Sequence, residues 1–176
     1  PGEELPDADY IRIEMGALAS GNDTNDKLSV AYISIINQVI ARAQRTQRDG
    51  RPTINLTDEA HVLTTNPLLA KYLVVVSKLL GRRMGLWLWQ ATQNMKDYPD
   101  ESEKMLAMFE WWMCLFIDES ELANIERFKS LNEDQRSMLL STRKASGKYT
   151  EGVVMSDNVQ GLFRIVQPGL CLALAL

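Results

Sequence analysis

The chain contains one histidine, His61, and two cysteines, Cys114 and Cys171. A single imidazole excludes any site built on two histidines and gives a Ser-His-Asp machine no support. The cysteines lie far apart, each in an apolar stretch, which reads as a pair of reduced, buried thiols rather than a disulfide. Positive charge is not in excess: 19 Lys and Arg stand against 23 Asp and Glu, a net charge of -4. No global basic field therefore draws the chain to nucleic acid, although a local basic surface stays compatible with that charge. No apolar run reaches the roughly 20 residues that a spanning helix needs. The closing GLCLALAL is too short to span and ends abruptly, and the opening PGEELPDADY reads as a linker, so a piece of a longer protein is expected. A G-x-x-x-x-G-K-[ST] phosphate loop is also absent. The only Gly-Lys pair, Gly147-Lys148, precedes Tyr149 and lacks the upstream glycine and the hydroxyl partner.

What is present is ordinary globular composition: 176 residues, 45% hydrophobic and 24% charged, enough for one domain with a sizeable core. Strand and helix signals alternate. Tyr10 to Met15 reads as a short strand. Asp26 to Arg48 carries Leu28, Tyr32, Ile35, Ile36, Val39, Ile40 and Ala43 at helical spacing, stopped by Asp49-Gly50. Thr53 to Thr57 reads as a second strand. Asn66-Pro67 opens a helix through Leu80, with Gly81 past its end. Gly85 to Ala91 is an apolar run fit for a buried strand. A helix from about Ser102 to Glu110 leads into a fourth strand, Trp111 to Ile117. Helices near Glu119 to Phe128 and Glu133 to Ser141 follow, the latter with a capping box of Asn132 and Gln135. Finally EGVVMS and GLFRIV flank Asp157 to Gln160 as a hairpin. The order predicts an α/β fold, a mainly parallel sheet flanked by helices, with a C-terminal antiparallel hairpin.

The strongest local feature is INLTDEAH, Ile54 to His61. A strand ending in Asp58-Glu59 puts two carboxylates where open α/β sheets bind ligands. In nucleotide hydrolysis the first acid can hold Mg²⁺ through water and the second can polarise the attacking water. The plainer alternative is a strand end followed by a helix start, where acids favour the helix dipole. Asn55 and Thr57 also dilute the strand. The next helix is followed by GRRMGLWLWQATQN, a strand ending in Thr92-Gln93. On a neighbouring strand Gln93 would reach the same crevice, where a neutral amide can orient water without competing for metal. Its plainer role is a loop-capping glutamine.

This order resembles the TraC-like (VirB-type) ATPases of conjugative type IV secretion, relatives of the FtsK/HerA motors with a RecA-like P-loop NTPase core. Their pattern is matched by DEAH at Asp58 to His61, GRR at Gly81 to Arg83 and ATQ at Ala91 to Gln93. LLSTRKASGKY and GLFRIVQPGLCLALA look like the closing segments of that core. The resemblance covers nearly the whole chain and implies the part of the ATPase core that follows the Walker A segment. It implies ATP and Mg²⁺ as cofactors, Asp58 as the magnesium-organising acid, Glu59 as catalytic base and Gln93 as γ-phosphate sensor. Arg82 or Arg83 would suit an inter-subunit finger, and Arg143 is a further candidate; for each, a solvated helix end is the plainer reading. It also implies a ring of subunits, a hexamer, other type IV secretion components as partners, and a place at the cytoplasmic side of the inner membrane. DNA contact has no support in these residues. Without a phosphate loop, weak or no ATP binding by this chain alone is expected, together with an apolar edge on GLWLWQA that needs a partner.

Two other classes remain open. A DEAH-type helicase shares four letters but would carry Ser-Ala-Thr and an arginine-rich motif that the chain lacks. A docking module with a decayed nucleotide site is the non-enzymatic reading. The tryptophans Trp87, Trp89, Trp111 and Trp112 and the methionines Met105, Met108, Met113 and Met138 read as core. Asp97 to Glu103 reads as a solvated loop, and His61 as the start of a helix.

Overall fold

The computed structural model describes residues 4–18, 24–64 and 66–169. The chain divides into two compact units, Pro1–Met105 and Leu106–Leu176.

The first unit is a parallel strand pair backed by helices. Helix α1, Thr24–Thr46, buries Leu28, Tyr32, Ile36 and Ala43, one stripe of the apolar spacing. A 3-10 turn, Gln47–Asp49, follows, and Gly50 closes it with φ 66°. Strand β1, Thr53–Thr57, comes next, then the one-turn helix α2, His61–Thr64. Helix α3, Pro67–Met84, starts at Asn66, whose side chain accepts from the N–H groups of Leu68 and Leu69. It runs through Gly81 and ends at Gly85, which takes the left-handed φ of 63° that a helix stop needs. The expected stop at Gly81 was therefore one turn early. Strand β2, Leu86–Gln90, pairs with β1 in parallel, Thr53 opposite Leu86 through Thr57 opposite Gln90.

The face of this pair toward α1 and α3 is half-buried, with Leu86 fully covered. There Tyr32 Oη lies 2.8 Å from Thr57 Oγ1, and Asn55 Nδ2 donates to the same oxygen at 3.2 Å. Those contacts explain polar residues on a half-buried strand face. Burial also raises the Tyr32 phenol above its ordinary pKa. The other face carries Ile54, Leu56, Trp87 and Trp89, all exposed, Ile54 beside Trp87 and Leu56 beside Trp89. The expectation of core tryptophans fails there. Among the described residues β2 pairs with β1 alone.

Residues Tyr10 to Met15 form no strand. Tyr10 is exposed, and this stretch hydrogen-bonds to no ladder. Just before it, Arg42 holds the carbonyls of Pro6 and Ala8 and the Asp7 carboxylate. The predicted Ser102 to Glu110 helix shrinks to one turn, α4, Glu103–Leu106.

The second unit is an antiparallel sheet with two helices. Strand β3 is Trp112–Leu115, β4 Lys144–Ala145, β5 Tyr149–Met155 and β6 Gln160–Ile165. Strand β5 pairs antiparallel with β3, β4 and β6. The hairpin between β5 and β6 lies where turn residues predicted it. Helices α5, Glu119–Glu126, and α6, Glu133–Ser141, pack with the sheet around Leu122, Leu139, Val153 and Met155. The Asn132/Gln135 capping box is formed in both directions.

A mixed α/β protein is thus observed, but a mainly parallel sheet is not: among the described residues the parallel part has two strands and the antiparallel sheet four. The misleading signal was the apolar run WWMCLFI, which reads as a strand buried on both faces. In the fold β3 alternates instead, Met113 and Leu115 exposed, Trp112 and Cys114 packed on the core. Met113 and Trp111 are consequently surface residues, while Met105 is buried as expected and Met138, half-buried, packs against the core. Of the two thiols, Cys114 is free and Cys171 lies outside the described residues. Burial pushes the Cys114 thiol up to about 11.

Candidate active site

Two loops meet beyond the carboxyl ends of β1 and β2. The strand ladder continues past the strands themselves: Ala91 N–H donates to Thr57 O and Ala60 N–H to Ala91 O, both at 2.9 Å. These bonds fix the turn Asp58-Glu59-Ala60 against the segment Ala91-Thr92-Gln93. Fully buried Ala60 pins the turn from below. Glu59 pays for this path with φ 50°, the one non-glycine residue at positive φ among the described residues. Strain of this kind gathers at functional sites.

The side chains then converge. Gln93 Nε2 donates to Glu59 Oε1 at 2.6 Å, a short, charge-assisted bond. Glu59 Oε2 lies 3.4 Å from His61 Nδ1, and His61 Nδ1 lies 3.1 Å from Thr92 Oγ1. Asp58 is exposed at the mouth of the strand pair, and its Oδ1 accepts the Glu59 N–H at 3.0 Å. Under this group sits Tyr98, whose ring meets His61 edge-to-face, centroids 6.3 Å apart. Burial, with the negative charge of Glu59 adding to it, raises the Tyr98 phenol well above its ordinary pKa.

The structure therefore brings Asp58, Glu59 and Gln93 to one end of one strand pair. Arg82 and Arg83 fall in the last turn of α3, but their side chains lie outside the described residues. Arg143 belongs to the second unit, where its N–H donates to Glu151 Oε2 at 2.8 Å. Sequence reasoning missed Thr92 and Tyr98. Thr92 stood beside the singled-out glutamine, and Tyr98 was hidden in a stretch read as a solvated loop, although Tyr98 and Ser102 are buried.

Among the described residues no three His, Cys, Asp or Glu side chains gather as a metal cage. A hydrated Mg²⁺ does not require one, since it binds through one or two carboxylates and keeps several waters. The exposed Asp58 carboxylate, with only Oδ1 engaged by the backbone, fits that kind of ligation.

Fold and site together define a class: an α/β chain with an acid–amide pair at the carboxyl end of parallel strands. No protein-family model matches the chain, and no curated protein matches it. No helix of the described residues is long and apolar enough to cross a membrane.

Proposed function

We propose that this chain is the part of an ATP-hydrolysing motor that carries its hydrolytic acid and its γ-phosphate-sensing amide. The motor is of the kind that energises conjugative DNA transfer and type IV secretion. One observation carries the reading: Glu59 and Gln93, 34 positions apart in sequence, meet at 2.6 Å beyond the ends of adjacent parallel strands.

In this reading Glu59 accepts a hydrogen bond from the attacking water and polarises it for in-line attack on the γ-phosphate. Gln93 can hold the acid through one N–H and offers a second N–H and a carbonyl to water or phosphate. Asp58 organises Mg²⁺ through water, which supplies charge neutralisation at the phosphates when bound. Arg82, Arg83 and Arg143 are candidates for phosphate contacts. Assembly into a ring, docking to other secretion components and a place at the inner membrane belong to the same proposal. A phosphate loop would have to come from sequence outside this chain, so this chain alone is expected to turn over no ATP.

The test is Glu59→Gln in the full-length motor. Hydrolysis should fall to a small residual rate while ATP binding survives, because the amide keeps the shape and loses the base. Wild-type turnover by that variant removes Glu59 from the chemistry.

A further inference from the structure

We propose that His61 is a positioning residue for Glu59, its Nδ1–H holding carboxylate Oε2 while Gln93 holds Oε1. The inference rests on the reading of Glu59 as the hydrolytic base.

The hydrogen bonds around Thr92 favour Nδ1 as the ring nitrogen that carries the proton. The Thr92 hydroxyl owns one hydrogen and can accept twice. It donates to Asn94 O at 3.2 Å and accepts the Asn94 N–H at 3.3 Å. What remains on Thr92 Oγ1 is an acceptor site, and His61 Nδ1 stands 3.1 Å from it. With the hydroxyl hydrogen spent on Asn94, that nitrogen is the donor. The same Nδ1 lies 3.4 Å from Glu59 Oε2, a charge-pair distance, so the hydrogen that it gives to Thr92 also faces the carboxylate. The ring itself is restrained by the edge-to-face contact with buried Tyr98 and is itself mostly covered, with 21% of its side chain exposed.

The arrangement has a functional consequence. When the second N–H or the carbonyl of Gln93 engages phosphate, the pull loads its bond to Oε1. A base restrained by Gln93 alone would lose its orientation at the moment of attack. His61 reaches the other oxygen from the adjoining turn and, through Thr92, from the loop that carries Gln93. One contact on each oxygen leaves a second lone-pair direction on each for water.

His61 is the only histidine, so its ring ¹⁵N resonances in this chain need no assignment. The neutral ring should show Nδ1–H with an unprotonated Nε2, and Glu59→Gln should shift the Nδ1 signal. In the full-length motor, His61→Phe should lower kcat about tenfold to a hundredfold, as loss of an orienting partner does, with KM for ATP unchanged. His61→Asn, whose amide N–H stands close to the lost Nδ1–H, should recover most of that loss. A wild-type ring protonated at Nε2, an Nδ1 signal indifferent to Glu59→Gln, or His61→Asn as slow as a folded His61→Phe overturns the proposal. Full activity in Glu59→Gln instead rejects Glu59 as the base. An inactive Glu59→Gln beside a fully active His61→Phe rejects the role of His61 alone.

Discussion

Glu59 sits at φ 50°, and its side chain rather than its backbone preference explains why a glutamate stands there. Two substitutions separate these contributions. Glu59→Ala and Glu59→Gly both delete the carboxylate and its bond to Gln93, so that loss cancels in the comparison. Only the backbone differs. A left-handed L-residue costs about 1–2 kcal/mol. Glycine escapes that cost but regains freedom in the unfolded chain, a penalty of about 0.4–1 kcal/mol. The difference leaves Glu59→Gly more stable than Glu59→Ala by about 0.5–1 kcal/mol, or about 2–8 °C in Tm for a unit of this size. Urea titration read at the β1 amides by NMR reports on the first unit without assuming that both units unfold together. The order should run opposite to an ordinary strand-end position. If alanine equals or exceeds glycine, the turn is unstrained and the reasoning fails.

Other outcomes can be checked in the second unit. A Cβ on Gly152 would come within 2.6 Å of the Cys114 carbonyl oxygen and 2.7 Å of the Phe163 ring; Gly152→Ala should cost about 1–3 kcal/mol, as overpacking does, measured by urea titration. Cys114, its thiol pushed up to about 11 by burial, should resist alkylation at pH 8 in the native state and react on unfolding, as mapped by mass spectrometry. Hydrogen bonds from Arg164 hold the Glu151 carboxyl below its ordinary pKa. The stability this gives is present above the ordinary carboxylate pKa and is lost as pH falls through the depressed value. Wild type should therefore lose more stability between pH 7 and pH 3 than Glu151→Gln, and equal slopes would contradict the assignment.

Local rules made much of this fold legible. Helix α1, strands β1 and β2, the Asn132/Gln135 cap and the last hairpin all follow from periodicity and turn residues. Partner choice was not legible. WWMCLFI carries no mark that its neighbour would be antiparallel β5, and an apolar run does not reveal which of its faces stays open. Gly81 looked like a helix stop because glycine favours that role, yet only Gly85 takes the left-handed conformation that ends the helix. The convergence of Glu59 and Gln93 was readable from the order of acid, helix, strand and amide. The part played by His61 was not, because it depends on how one threonine hydroxyl spends its single hydrogen.

The most direct measurement is a double-mutant cycle on hydrolysis by the full-length motor, using Glu59→Gln, Gln93→Ala and their combination. Residues that act as one unit are strongly non-additive. The double variant should be no slower than Glu59→Gln alone. Losses that multiply independently would mean that this acid and this amide do not share a site.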